Sequence, residues 1–317
     1  MPRLKASTAK LVGLLLVFIC LGFVVQQLLG LDLQQIPSER WFDLSLVVLV
    51  GALLYGLVSL SLSYTWRHLL SWSDGTRAPA GLCHGIYGRS QLGKYLPGNI
   101  FSIAGRHVLG RRSGMGDRAL LWAAALEILG MAFIAALLFA FGAADLGGTS
   151  QLVEVPLLAM ALVVPLVLPW IMRAVLQRMP KLQPYGLPAR GFGAYLRLYG
   201  TFFLYLPFFL CTAALLWWLL HEATDGQAPS FLIVLSVSAG AWLAGFVTPG
   251  ASGGIGVRDA LLILALKPFA GDAIVFAALA YRLLTILGDI VYFLVALAFP
   301  IEAASMTDDT RDTEPSR

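Results

Sequence analysis

Charged residues and cysteines are both scarce in this sequence, and each shortage excludes a class of protein. Asp, Glu, Lys and Arg make up 13% of the 317 residues, whereas a soluble domain has about 25%. The three cysteines, Cys20, Cys83 and Cys211, form no C-x-x-C spacing, which argues against a disulfide framework or a cysteine metal site. Together with a hydrophobic fraction of 58%, the low charge indicates a polytopic membrane protein.

The sequence also lacks the features of nucleic-acid-binding and nucleotide-driven proteins. The net charge is +4, but the basic residues lie in short segments between apolar runs and form no single patch. No ATP-binding motif is present, and the glycine cluster of TPGASGGIGVRDA, residues 248–260, follows no predicted strand. No His–carboxylate cluster occurs. We therefore expect no cofactor, no metal, no catalytic residue and no nucleic-acid partner.

Apolar runs near 20 residues recur along the chain, and each is long enough to cross about 30 Å of hydrocarbon. Because lipid offers backbone groups no hydrogen-bond partner, we expect these runs to be helices. The predicted fold is an all-α membrane helix bundle that forms a single domain over residues 1–300, followed by a disordered acidic tail over 301–317. The expected spans, about seven, are 11–29, 44–65, 119–142, 152–172, 196–220, 230–248 and 272–299.

Basic residues alternate between the connecting segments, and this predicts the orientation. The N-terminus, the segments flanking 83–110 and the loop 173–197 are rich in Lys and Arg. The loops 30–43, 143–151 and 221–229 contain a single basic residue, Arg40. Since Lys and Arg accumulate in cytoplasmic loops, we expect a cytoplasmic N-terminus.

The first interruption of the apolar pattern is GKYLPGNIF, residues 93–101. Both flanks of the segment 83–110 are basic, so it crosses the membrane an even number of times or not at all. Two crossings need about 40 residues, whereas each arm here has about 13, or roughly 20 Å of helix. We expect a re-entrant hairpin that turns at Pro97 and Gly98, with a pair of surface helices as the alternative. Because non-helical backbone at depth must be buried in protein or line a watery cavity, a hairpin predicts a central cavity.

A second interruption begins at Pro249 and Gly250, and the segment 249–271 is the second expected re-entrant or broken helix. The side from which it enters is open at this point. Two Pro/Gly-interrupted segments point to a substrate site at the interface between them. The N-termini of half-helices present unpaired N–H groups and partial positive charge, which suit an anionic headgroup.

Three charged residues lie well inside the predicted spans, away from the span ends. Glu127 is near the middle of the third span, and Arg282 and Asp289 share one helical face of the last span. Left unpaired at the bilayer centre, three charges would cost about 8–10 kcal/mol. They must face each other, the bundle interior or water, and both a structural ion pair and a transport path satisfy this requirement.

The candidate site residues are of three kinds. Those expected to contact an anionic substrate group are Lys94, Asn99, Arg106, Arg258 and Arg282. The cavity carboxylates are Glu127, Asp259 and Asp289. The helix breaks are Pro97, Gly98, Pro249, Gly250, Gly253, Gly254 and Gly256.

Four motifs in order, GKYLPGNIFSIAGRHVLGRRSGM, ALEILG, TPGASGGIGVRDALL and YRLLTILGDI, resemble those of the lysylphosphatidylglycerol synthase transmembrane-region family of flippase-like integral membrane proteins. The resemblance covers about residues 11–299 and departs at Asp259, where the family usually has Glu. It implies a lipid-handling protein of a prokaryotic cytoplasmic membrane. The soluble domain that aminoacylates phosphatidylglycerol in the best-known members has no counterpart in this sequence, so synthesis of lysyl lipid is not expected.

The leading hypothesis is a lipid flippase that moves an anionic or aminoacylated phospholipid or a lipid-linked glycan intermediate across the membrane. Its partners would be membrane lipids and a glycosyltransferase or lipid synthase. The alternatives are a membrane-embedded lipid or polyprenyl-phosphate transferase and a non-catalytic scaffold for such an enzyme. A transporter is favoured over an enzyme because the sequence shows no catalytic cluster.

Overall fold

The computed structural model describes residues 38–75, 78–95, 101–143, 192–248 and 256–301, and the regular structure in these ranges is entirely helical. Within these ranges ten α-helices follow one another, with 3-10 turns at Leu92–Tyr95 and Phe203–Tyr205. They are α1 (Ser38–Val58), α2 (Leu60–Asp74), α3 (Ala80–Gln91), α4 (Phe101–Arg112), α5 (Asp117–Ala143), α6 (Phe192–Phe202), α7 (Leu206–Ala223), α8 (Phe231–Val247), α9 (Val257–Ala270) and α10 (Ala273–Leu297).

Four helical segments of the described residues are long and apolar enough to cross a membrane: Ser45–Ser73, Asp117–Gly142, Gly193–Ala223 and Ala273–Leu297. The predicted all-helical fold is therefore confirmed for the described residues, and these four segments are compatible with a membrane protein. The predicted spans 11–29 and 152–172 and the acidic tail lie outside the described residues, so the total of about seven spans stays a prediction. The predicted span 230–248 corresponds to α8, whose 17 residues extend only about 26 Å.

The long described segments run in two opposite directions. As α1 proceeds from Gly51 to Gly56, its closest neighbour on α10 changes from Leu284 to Val291, so these two helices are parallel. The α6–α7 segment begins beside the end of α2, where the Trp72 indole donates a hydrogen bond of 2.9 Å to the Ala194 carbonyl. We call the end of the bundle that contains the last turn of α2 and the last turn of α10 the basic side, and the opposite end the far side.

The helices α3 and α4 form an antiparallel pair, which we call hairpin 1. A Cβ on Gly93 would lie 2.9 Å from backbone atoms of Phe101 and Ser102, so the 3-10 turn closely approaches the start of α4. The outer ends of both arms lie beside the end of α10: a Cβ on Gly81 would be 3.2 Å from the Phe299 ring, and the Ser113 hydroxyl donates a hydrogen bond of 2.9 Å to the Ile301 carbonyl. Hairpin 1 thus enters the bundle from the basic side and returns to it.

The helices α8 and α9 pack against each other and form hairpin 2. The start of α8 lies beside the end of α5, where a Cβ on Gly142 would be 2.6 Å from the Leu232 carbonyl oxygen. Two residues, Gly271 and Asp272, separate the end of α9 from the start of α10. Hairpin 2 therefore enters from the far side, opposite to hairpin 1, which answers the question that the sequence left open.

Both hairpins reach the middle of α10. Tyr281 lies eight residues after the start of α10 and contacts Arg258 at the start of α9. Asp289 lies eight residues before the end of α10 and contacts Lys94 at the tip of hairpin 1. Eight helical residues span about 12 Å, so the two inner ends meet within the middle third of this helix.

Candidate functional site

A pocket of about 1080 Å³, including its open mouth, lies where the two hairpins meet. Side chains from hairpin 1, hairpin 2 and five further helices, α1, α2, α5, α7 and α10, form its walls. The lining residues are Tyr55, Leu62, Tyr87, Gln91, Lys94, Ser102, Ile103, Arg106, Glu127, Ile128, Met131, Phe208, Phe209, Thr212, Ser238, Trp242, Phe246, Arg258 and Tyr281. Four sequence-predicted site residues, Lys94, Arg106, Glu127 and Arg258, are thus brought to one cavity.

The charged groups on the pocket wall are mainly positive. Lys94, Arg106 and Arg258 each contribute one positive charge and Glu127 contributes one negative charge, and Asp289, 2.7 Å from Lys94, adds a second negative charge behind the wall, which leaves a formal excess of +1. Because apolar helices surround the pocket, such an excess acts more strongly than it would at a protein surface. The pocket therefore favours an anionic ligand group.

Arg106 and Glu127 form a buried ion pair between α4 and α5. The Tyr87 hydroxyl donates a hydrogen bond of 2.7 Å to Glu127 Oε1, and the Arg106 guanidinium lies 4.2 Å from the centre of the Tyr87 ring. All three side chains are almost fully buried. The charge of Glu127 is thus satisfied by two neighbours, which makes this carboxylate a fixed element of the wall.

Lys94 and Asp289 form a second ion pair, between the tip of hairpin 1 and α10. Lys94 Nζ donates a hydrogen bond of 2.8 Å to Asp289 Oδ1 and lies 2.7 Å from Oδ2. The Tyr95 hydroxyl donates to the same carboxylate, and Lys94 Nζ also lies 3.5 Å from the Tyr55 hydroxyl oxygen. Asp289 is fully buried, whereas 21% of the Lys94 side chain is exposed, so Lys94 joins the carboxylate to the open space of the pocket.

Arg258 presents its charge to the pocket from the start of α9. Its guanidinium lies 4.9 Å from the centre of the Tyr281 ring, and no carboxylate in the described ranges forms an ion pair with it. The neighbouring Asp259 instead accepts a hydrogen bond of 3.3 Å from the backbone N–H of Gly256. Gly256 has φ of 84°, a left-handed conformation that favours glycine, and α9 begins directly after it.

The remaining predicted residues lie around this cavity or outside the described part of the chain. Arg282, on α10, has its guanidinium 5.9 Å from the centre of the Tyr95 ring. Asp259 and Arg282 are not among the lining residues. Seven predicted residues fall outside the described ranges: Pro97, Gly98, Asn99, Pro249, Gly250, Gly253 and Gly254.

The aromatic part of the pocket was not predicted from the sequence. Phe208 and Phe209 of α7 and Trp242 and Phe246 of α8 form one continuous group, which we call the aromatic wall. Aromatic residues in membrane spans usually indicate packing, and only the spacing of four between Trp242 and Phe246 hinted that they share a helical face.

No protein-family model matches this sequence, and no curated protein matches it significantly. The resemblance to the lysylphosphatidylglycerol synthase transmembrane-region family therefore remains an expectation. Within the described residues, no group of three or more His, Cys, Asp or Glu side chains is arranged to hold a metal ion. What the geometry offers is a polar, positively charged cavity inside an apolar helix bundle.

Proposed function

We propose that the protein is a lipid transporter that moves the anionic headgroup of a membrane lipid through this pocket. The observation that carries the proposal is the excess of positive charge on a cavity wall built from two half-length hairpins. A buried cation is costly in a membrane protein and is usually tied to function. An anionic headgroup that enters the pocket would offset the charge of Arg258.

The opposed hairpins support a path that is reachable from both sides. The arms of hairpin 1 are 12 residues each, and those of hairpin 2 are 17 and 14 residues. Each hairpin therefore penetrates only part of the hydrocarbon, which is about 30 Å thick. A headgroup would travel the polar route between the two tips while its acyl or polyprenyl tails stay in the lipid.

We place the basic side in the cytoplasm of a prokaryotic cell, with the N-terminus on the same side, because Lys and Arg mark cytoplasmic segments. Hairpin 1 would then enter from the cytoplasm and hairpin 2 from outside. Substituting Arg112→Cys on the basic side and Gln227→Cys on the far side, in a cysteine-free background, tests this orientation. An impermeant maleimide added to intact cells should label only the cysteine at position 227, and the reverse pattern would overturn the assignment.

Transport itself is tested by lipid exchange in proteoliposomes. Labelled phosphatidylglycerol, lysyl-phosphatidylglycerol and a polyprenyl-linked sugar would be compared with protein-free vesicles. The pocket variant is Arg258→Gln, and its matched control is Arg112→Gln, which removes a charge from an exposed position. A charged hydrogen bond contributes about 1.5–3 kcal/mol, so the pocket variant should slow exchange by about 10- to 100-fold and the control should not.

Absence of exchange for every lipid would refute the transporter and favour the transferase or the scaffold. The transferase is the weaker alternative because general-base catalysis needs a carboxylate free to take a proton. Glu127 and Asp289 are instead each held by a cation and a tyrosine hydroxyl. A scaffold for a glycosyltransferase or lipid synthase would tolerate Arg258→Gln without loss of function.

A further inference from the structure

The aromatic wall lines one side of the pocket with rings that contact one another. The ring planes of Trp242 and Phe246 are nearly parallel, at 6°, with centroids 5.1 Å apart. Phe209 meets Trp242 edge to face at 5.2 Å, which fixes the orientation of the indole. The faces of aromatic rings carry partial negative charge, so they attract the slightly positive C–H bonds of a saturated ring laid against them.

Two polar side chains line the same cavity without using their hydrogen-bonding capacity. Gln91 and Ser102, both 8% exposed, make no side-chain hydrogen bond within the described parts of the chain. Amide and hydroxyl groups in proteins are normally hydrogen-bonded, so these two are available to pair with a molecule in the pocket. Their position on the pocket wall points to a ligand that brings neutral donors and acceptors with it.

The pocket therefore combines three recognition elements: a cation at Arg258, neutral polar groups on hairpin 1 and an aromatic surface on α7 and α8. Phosphate alone would use the first element and a fatty chain would use only the third. A cationic headgroup, such as one bearing a lysyl group, opposes the excess of positive charge. A hydroxylated ring joined to a phosphate uses all three.

We propose that the transported headgroup is a hydroxylated six-membered ring carrying a phosphate, with the ring against Trp242, its hydroxyls bonded to Gln91 and Ser102, and the phosphate at Arg258. This inference rests on the transport function proposed above and specifies its substrate class. Two membrane lipids share this chemistry, namely a polyprenyl-phosphate sugar and an inositol phospholipid. Glycerol-based anionic headgroups without a ring would bind less tightly.

Binding of soluble headgroup analogues tests the proposal separately from transport. The purified full-length protein in deuterated detergent would be titrated with glucose 1-phosphate, inositol 1-phosphate, glycerol 3-phosphate and glucose, with binding followed by saturation-transfer NMR. A stacked ring and two additional neutral hydrogen bonds correspond to at least about tenfold in affinity. At least one ring phosphate should therefore bind about tenfold more tightly than glycerol 3-phosphate, and the better of the two identifies the lipid.

Variants identify the surface involved. Trp242→Leu should reduce the affinity for the ring phosphate to that for glycerol 3-phosphate, whereas Trp242→Phe should retain most of the preference. Gln91→Met should weaken ring binding a few-fold and leave glycerol 3-phosphate unchanged. The matched control is Trp218→Leu, because Trp218 bonds to Glu222 away from the pocket. Thermal unfolding of each variant shows whether it is folded.

Equal binding of glycerol 3-phosphate and the ring phosphates would overturn the proposal, and so would no binding by either ring phosphate. Either result beside clear exchange of phosphatidylglycerol in proteoliposomes would leave the transporter standing and refute only the ring. Selective ring binding without exchange of any lipid would support the ring-phosphate site and refute the transporter. The two failures are thus distinguishable.

Discussion

The ion pair of Lys94 and Asp289 predicts an unequal response to removal of its two members. The Asp289 side chain is 0% exposed and the Lys94 side chain is 21% exposed. Lys94→Met would leave a fully buried carboxylate without its cation, and breaking a buried pair in this way costs about 3–5 kcal/mol. Asp289→Asn leaves a lysine that already reaches the pocket and can be hydrated there, so its cost should be lower, about 1–2 kcal/mol.

A double-mutant cycle tests this reasoning. Substituting both Lys94→Met and Asp289→Asn removes both charges, so the cost should fall below the sum of the single costs by about 2 kcal/mol. The free energy of unfolding would be measured by SDS titration in mixed micelles. The matched control is the pair of Lys267 and Asp272, 3.0 Å apart with side chains 44% and 73% exposed, where the coupling should be about 0–1 kcal/mol. Equal coupling in the two cycles would refute the claim that the first pair is shielded from water.

Two further pairs of substitutions test the packing around the site. Tyr87→Phe removes a hydrogen-bond donor to the buried Glu127 carboxylate and should lower the free energy of unfolding by about 1.5–3 kcal/mol. Tyr205 is equally buried, but its hydroxyl has no partner in the described ranges, so Tyr205→Phe should leave the free energy of unfolding unchanged. Similar free energies of unfolding for the two variants would contradict the role of the Tyr87 hydroxyl. Gly93→Ala places a Cβ 2.9 Å from backbone and should destabilise by about 1–3 kcal/mol. Gly200→Ala, in a helix with open space around it, should be neutral or stabilising by up to about 1 kcal/mol. A higher melting temperature for Gly93→Ala than for Gly200→Ala would refute the close turn.

The lengths of the apolar runs were sufficient to predict most of the long helices. The expected spans 119–142 and 272–299 differ from α5 and α10 by only one or two residues at each end. The expected span 44–65 was too short, since helix continues to Asp74. Polar residues there bond to their own helix: the Thr65 hydroxyl donates to the Ser61 carbonyl at 2.8 Å and Ser73 to Leu69 at 2.7 Å. Such residues lower the hydropathy of a predicted span, although their hydroxyls form hydrogen bonds with carbonyls of the same helix.

The partners within the site could not be predicted from any local pattern. The helical face shared by Arg282 and Asp289 suggested an ion pair between them, yet Asp289 accepts hydrogen bonds from Lys94 and Tyr95 of hairpin 1. Spacing along one helix shows which side chains share a face, but the partner on a distant helix depends on how the helices pack. The entry side of hairpin 2 was open for the same reason, because it follows from the contacts of α8 with α5.

The two ion pairs of the site join residues at very different separations along the chain, and this has a consequence for folding during synthesis. Arg106 and Glu127 are 21 residues apart in sequence, whereas Lys94 and Asp289 are 195 residues apart. At about 5–20 residues per second, the first pair can form within roughly 1–4 s of translation and the second only after about 10–40 s. Hairpin 1 can therefore form its ion pair with α5 early in synthesis, whereas the ion pair at its tip forms only after α10 has been synthesised.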